Sequence, residues 1–257
     1  MKQGKKKTKI IIFLLHLVIC SYAQKGEKII AKGVYLTTYS KNNRALIIDS
    51  CELDVSNSYS YFYSLSKKRA MLELEKKMQQ AIVDKTPLIL NSADTRSISK
   101  FLSFSVLKKY SPNSTFIIES IGESNFAYSK DNLSNDKWNL INDSLLINGF
   151  TCYKAIINDT FKVTAWYLPT FPISIGPLFY DGLPGLIVKV ESERGWKAEL
   201  ISLKQFDKLV EDNNIPFSYQ VVSKQDFDRA KRAYSESILN GGNIGIGDAN
   251  IKLSRKQ

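Results

Sequence analysis

The chain predicts a mainly β protein, built on a single curved antiparallel sheet or open half-barrel with about two peripheral helices. A β-sandwich is the alternative. Three observations carry this. Short β-prone runs follow one another from residue 115 to residue 202, with tight turn signals between them. Only two segments have helical periodicity. Four of the seven prolines crowd into residues 169–185, too many for a central strand.

The opening residues are read first as a leader. Lys2, Lys5, Lys6, Lys7 and Lys9 precede an apolar stretch from Ile10 to Cys20, and Ser21-Tyr22-Ala23 follows. A basic start, a short greasy segment and small residues before the cut make a secretory signal peptide, cleaved between Ala23 and Gln24. A lipoprotein reading would use Cys20, but Ile19 is bulky where that processing needs a small residue. Without the leader, 234 residues remain, with 31 bases against 25 acids. The net charge falls from +11 to +6, so much of the basicity belongs to the leader. The remaining bases sit in short runs such as Lys67-Lys68-Arg69, which are solvated faces rather than a nucleic-acid surface. The expected organisation is a leader at 1–23, one domain at 24–240 and a flexible tail at 241–257.

The first strand is expected from Ile29 to Tyr39, by alternation of Val34, Leu36 and Thr38 with Tyr35, Thr37 and Tyr39. Ala45 to Ile48 reads as a second. Ser58 to Tyr63 reads as a third, with Tyr59, Tyr61 and Tyr63 on one face. Ser66 is the expected cap of a helix whose stripe is Ala70, Met71, Leu74, Met78, Ala81 and Ile82, ending by Pro87. Asn91 to Ser114 is polar, poorly periodic at both ends, and reads as an insertion.

Strands are then expected at Phe116–Ile121, Lys137–Ile141, Leu145–Ile147, Phe150–Ile157, Phe161–Leu168, Leu186–Val190 and Trp196–Ser202. Asn148-Gly149 is the strongest hairpin signal and Asn158-Asp159 a second tight turn. Ser223 to Asp226 resembles a capping box for a closing helix through Phe227, Ala230, Tyr234 and Ile238. The glycines at 241, 242, 245 and 247 lack the spacing of a dinucleotide loop.

Residues 169–185 are too apolar for a solvated loop and too rich in proline for a strand. They predict a stiff segment packed across the sheet ends, either plugging the core or forming the lip of an apolar groove. Pro184-Gly185 fits the central pair of a type II turn.

The chemistry is read mostly by exclusion. The one histidine, His16, lies in the leader, so the mature chain has no imidazole for a Ser-His-Asp or Cys-His site. Cys51 and Cys152 form no Cys-x-x-Cys motif. They are a candidate disulfide, worth about 4–5 kcal/mol if formed, or two separate buried thiols. Asp131 with Asp136, and Glu211 with Asp212, lack calcium-loop spacing. Asp181 before Gly182 is ordinary turn chemistry. No metal, no cofactor and no catalytic residue is expected.

The run from Trp138 to about Leu200 resembles the GLPGLI family of secreted Gram-negative bacterial proteins. The resemblance rests on Gly149, Phe150, Cys152, Lys154 and Ala155, on Ala165-Trp166-Tyr167, on Pro172 and Gly176-Pro177, and on Gly182-Leu183-Pro184-Gly185-Leu186-Ile187. One departure is Phe161-Lys162-Val163, where the family usually carries an arginine. The resemblance implies an exported β-rich protein of unknown activity, often encoded beside outer-membrane transport receptors. The leading expectation is a periplasmic or outer-membrane-associated binding or accessory protein. It would hold an apolar or peptide ligand, or dock on such a receptor. The rivals are a carboxylate-dependent periplasmic hydrolase and a structural envelope component. Candidate binding residues are Cys152, Lys154, Trp166, Tyr167, Phe171, Phe179, Tyr180 and Leu183, with Gly176, Pro177, Gly182, Pro184 and Gly185 shaping the motif.

Overall fold

A computed structural model describes residues 28–40, 46–87, 101–130, 138–157, 162–211 and 218–239. The leader, the Asn158-Asp159 turn, residues 91–100 and the tail lie outside them. Twelve strands form one sheet: β1 (Lys28–Ser40), β2 (Leu46–Ser56), β3 (Tyr59–Ser64), β4 (Phe104–Lys109), β5 (Ser114–Ile121), β6 (Ser124–Lys130), β7 (Asn139–Ile147), β8 (Phe150–Ile157), β9 (Val163–Leu168), β10 (Leu186–Ser192), β11 (Trp196–Glu211) and β12 (Gln220–Val221). Their order is β12-β6-β5-β4-β3-β2-β1-β11-β10-β9-β8-β7. The β-rich single sheet was legible, but it is mixed rather than antiparallel. The two-residue β12 runs parallel to β6.

Two expectations failed locally. The supposed insertion contains β4, paired on both sides by β3 and β5. Its charges misled: Lys108 is a polar residue at a buried position. Ser64, not Ser66, caps the first helix, α1 (Leu65–Asp84), by accepting the Lys67 amide at 2.9 Å. Ser66 instead accepts the Ser50 amide of β2 at 3.1 Å. No residue of α1 is buried, so the apolar stripe read from its periodicity packs only partly. Asn148 (φ 50°) and Gly149 (φ 83°) make the expected type I′ hairpin between β7 and β8.

One face of the sheet, here the inner face, carries Tyr35, Cys51, Leu53, Phe62, Val106, Ala165, Val190, Ala198 and Leu200. Two covers lie on it. The closing helix, α2 (Lys224–Leu239), sets Phe227 and Ala230 on Ile117, Ile121, Phe126 and Tyr128 of β5 and β6. The Ser223 half of the expected capping box forms, the Asp226 amide donating to Ser223 Oγ at 3.0 Å, while the Asp226 carboxylate accepts the Ser223 hydroxyl at 2.8 Å. The crossover 169–185 covers the rest, burying Phe171, Ile175, Leu178, Tyr180 and Leu183 in the same cluster as Tyr35 and Phe62. It therefore lies across the inner face, not across the sheet ends.

The far tip of the crossover is tied to both flanks of the sheet. Lys108 Nζ on β4 donates to the Tyr180 carbonyl at 2.8 Å and pairs with the Asp181 carboxylate at 3.2 Å. Trp138, one residue before β7, donates its indole N–H to the Asp181 carbonyl at 2.7 Å. β4 and β7 stand eight positions apart, an arc of about 38 Å at ordinary strand spacing. Meeting at one residue requires the sheet to curl with its inner face concave, as an open trough.

At its other end the crossover joins the ladder. The Ile187 amide donates to the Ile175 carbonyl at 2.8 Å, and Tyr35 donates its hydroxyl to the Ile187 carbonyl at 2.8 Å. The β10–β11 ladder begins only at Lys189–Glu199, and Asn148 satisfies the Leu200 carbonyl at 2.6 Å. The turn at Pro184 is tighter than the expected type II. The Gly185 amide donates to Leu183 at 2.7 Å, and Gly185 has φ 141° instead of about 80°. The reason is proximity: a Cβ there would lie 2.1 Å from the Leu168 carbonyl oxygen.

Gly185→Ala should therefore destabilise the fold by at least about 3 kcal/mol. Gly149→Ala, with nothing within 4 Å of its new Cβ, should cost about 1 kcal/mol. Urea unfolding checks the order, and equal costs would refute the close-approach account. Asp181→Ala leaves the Lys108 ammonium buried without its anion and should cost about 3–5 kcal/mol, while Lys108→Met with Asp181→Asn should lose much less. Unfolding of the three proteins checks this, and a cost under about 1 kcal/mol for Asp181→Ala would dismiss the tie.

Candidate functional site

The structure distributes the expected binding residues over three environments. Phe171, Tyr180 and Leu183 are core. The crossover packs these side chains into the inner-face core cluster and so covers the trough. Gly176 and Pro177 are buried, with Gly176 against the Ile187 side chain, and Gly182 donates its amide to Ser174 Oγ at 3.0 Å. Pro184 is exposed at the turn. Tyr167 is buried opposite Tyr153, with ring centroids 6.2 Å apart. Phe179 is half-buried, packed on Tyr180 at 5.2 Å under the Lys130 ammonium at 4.9 Å. Cys51 and Cys152 are both free and buried, on strands five positions apart, and form no disulfide. Burial pushes both thiols up, Cys152 to about 11 and Cys51 further, so neither is a ready nucleophile.

Lys154 and Trp166 come together on the outer face. They are register partners on β8 and β9, with the ammonium 5.4 Å from the indole centroid. Asp143 of β7 holds the same ammonium at 3.4 Å. Of these, Lys154 lines a groove of about 640 Å³. Strand register explains its floor. Ile156, Thr164, Glu191 and Lys197 are successive cross-strand partners on β8, β9, β10 and β11, and Ile141 pairs with Lys154 in the next row. The Lys162–Glu193 pair, at 3.3 Å, closes one end. Trp196 forms part of the wall, and its ring is stacked on Tyr180 at 5.6 Å. The crossover thus fixes the groove wall from behind, through Tyr180.

The charges of the groove and its border are matched. Besides the pairs above, Lys189 meets Glu191 at 3.3 Å and Lys197 meets Glu199 at 2.8 Å. An open strand floor with isoleucines between ion pairs suits an extended, amphipathic segment. Among the described residues no group of three His, Cys, Asp or Glu is placed to hold a metal ion. Ile141, Ile156, Thr164, Glu191, Trp196 and Lys197 were not singled out in the sequence. Alternation gives the face of each, but their meeting depends on register across five strands.

The fold brings two carboxylates together elsewhere. Glu52 and Asp54, two apart on β2, share the Lys32 ammonium at 3.0 and 2.8 Å, and Tyr63 donates its hydroxyl to Glu52. Burial alone would raise Glu52, but the Tyr63 and Lys32 hydrogen bonds outweigh it and hold the carboxyl below its ordinary 4.5. Burial would likewise lower Lys32, and the two carboxylates overcome it and raise the ammonium. A general acid needs the opposite, a carboxyl raised towards neutrality. The aromatic row works here as packing: Tyr61 and Tyr63 stack at 5.2 Å, and Tyr61 donates to Ser105 Oγ at 2.8 Å.

Because the folded carboxyl of Glu52 is depressed, its stabilisation is complete above the unfolded value and is lost as pH falls below about 4.5. The Lys32 contribution is complete below 10.5 and is lost above it. Glu52→Gln should lower stability at pH 7 and flatten the acid limb, as urea midpoints between pH 7 and pH 3 will show. An unchanged acid limb would refute the assignment.

Residues 156–189 match the model of a family described as a protein of unknown function (Porph_ging). That span holds much of the groove floor and the crossover. No curated protein is matched. Among solved structures the chain is similar to PNGF-II in its P21 crystal form, with a TM-score of 0.53 and 11% identity over 78% of this chain and 32% of that one. The C2 form gives 0.52 and 12% over 79% and 33%. The LolA superfamily protein NE2245 from Nitrosomonas europaea gives 0.26 and 8% over 72% and 89%. The chain spans about a third of the length of PNGF-II. The similarity to PNGF-II is one of fold.

Proposed function

We propose that this is an exported envelope protein of the GLPGLI type that binds an extended peptide segment of a partner in the outer-face groove. The partner we favour is an outer-membrane transport receptor. The observation that carries the reading is the pairing of a covered inner face with an open, amphipathic groove on the outer face. A carrier of lipid tails needs an apolar cavity, and the crossover occupies that position with its own side chains. The leader-like opening residues support export. The Gly182–Ile187 run lies inside the span matched by the family model. The acid pair at Glu52 and Asp54 shares one lysine, and the Glu52 carboxyl is held below its ordinary value, which lends no support to the hydrolase reading.

A photo-crosslinking amino acid at Thr164, in the groove floor, should give a discrete adduct in the envelope of the living source cell. The same residue at Met71, exposed on α1, should give none. Ile156→Arg, beside Thr164 in the floor, should reduce the Thr164 adduct at least tenfold while the protein stays folded. Adducts of equal yield from both positions, or none from Thr164, would overturn the reading.

A further inference from the structure

α1 is a helix without a core face. We propose that it lies along the surface of a bilayer with anionic headgroups, its bare apolar side down. Its first turn is pinned to the sheet: Ser64 caps it, Ser66 accepts the Ser50 amide, and Lys67 Nζ donates to the Ser103 carbonyl at 3.3 Å. Beyond that turn no residue is buried, and only Ala70, Leu74 and Ala81 are half-buried. These three share one line of the helix at its ordinary pitch. Met71, Met78 and Ile82 form a second line beside it, and Leu72 and Val83 a third. All five are between 44% and 74% exposed. The two bare lines bound an arc of about 140°, as wide as the side by which a globular helix enters a core.

The arc has a direction. Lys68, within it, sits over the Tyr63 ring with 5.4 Å to the centroid. Tyr63 is the register partner of Glu52, and Glu52, Ser50, Ile48 and Leu46 alternate onto one face of β2. The arc therefore looks out on the side of Ile48 and Leu46, which are themselves about 60% exposed, and helix and strand end offer one apolar surface. Charge selects what covers it. Lys68 lies inside the arc, and Arg69 and Lys76 border it beside Leu72, against a single acid, Glu75. Over residues 65–85 there are six bases and three acids. Anionic headgroups complement that excess while the apolar side chains enter the acyl boundary, the behaviour of a basic amphipathic helix of low net hydrophobicity. Such a helix lies in the plane of the surface, and none among the described residues is long and apolar enough to cross a membrane. Export, as proposed above, sets the chain beside lipid.

The test uses the chain without its leader, with vesicles of phosphatidylcholine alone or containing about 30% phosphatidylglycerol. In about 0.1 M salt the protein should sediment with the anionic vesicles about tenfold more strongly than with the neutral ones, and about 0.5 M salt should release most of it. Met78→Gln with Ile82→Gln should weaken binding about tenfold at an unchanged urea midpoint, since neither residue supports the core. Arg69→Gln with Lys76→Gln should remove the preference for anionic vesicles. Val221→Gln, which changes an equally exposed apolar residue on β12, should bind as the wild type does. A wild type that sediments with neither vesicle or equally with both, or glutamine pairs that bind as before, would each overturn the proposal. A discrete protein adduct from the crosslinker at Met71 would overturn it too, and assign α1 to a protein partner.

Discussion

The buried ammonium of Lys108 is the interaction on which the architecture turns. A charge in the concave face of a sheet is costly, and desolvation lowers its pKa despite the Asp181 carboxylate. That cost is offset because one residue pair, Tyr180 and Asp181, gathers strands from both flanks. β4 contributes the lysine, β7 is led in by Trp138, and β11 is reached through Trp196. Lys130 of β6, over the Phe179 ring, adds a second tie from the same flank. Curvature, the covered trough and the position of the groove wall all follow from this meeting point.

Much of this was legible in the chain. The hairpin at Asn148-Gly149 is local chemistry, since two left-handed residues between β-prone runs admit few alternatives. The closing helix announces itself by Ser223 and Asp226. The crossover was recognisable as stiff and apolar, because prolines exclude a ladder while Phe171, Ile175 and Leu183 exclude solvent. What failed is what only partners decide. β4 looked like an insertion because Lys108 and Lys109 break its apolar run, and a lysine in the core makes sense only once Asp181 is seen above it. Ser64 and Ser66 are equally good caps in sequence, and the Ser50 amide of β2 decides between them. The bulk of the stripe on α1 stays out of the core because the sheet offers it little surface.

The groove illustrates the same limit. Lys154 and Trp166 were singled out individually, yet the floor between them and Lys197 is a property of register. Ile156, Thr164, Glu191 and Lys197 lie far apart in the chain and become a row only when four strands align. The cysteines show the converse. Both were visible as a pair, and strand order separates them.

The separation of β10 from β11 near Ile187 has a dynamic consequence. The carbonyls of Ile187 and Leu200 are satisfied by side chains from β1 and from the β7–β8 turn, and the Ile187 amide by the crossover itself. The segment is thus woven into the hydrogen-bond grid at the point where that grid parts. It cannot swing aside as a lid without parting the Ile187 amide from the Ile175 carbonyl and exposing both. Its opening belongs to the same cooperative unit as the central strands, and solvent exchange there should follow global rather than local unfolding.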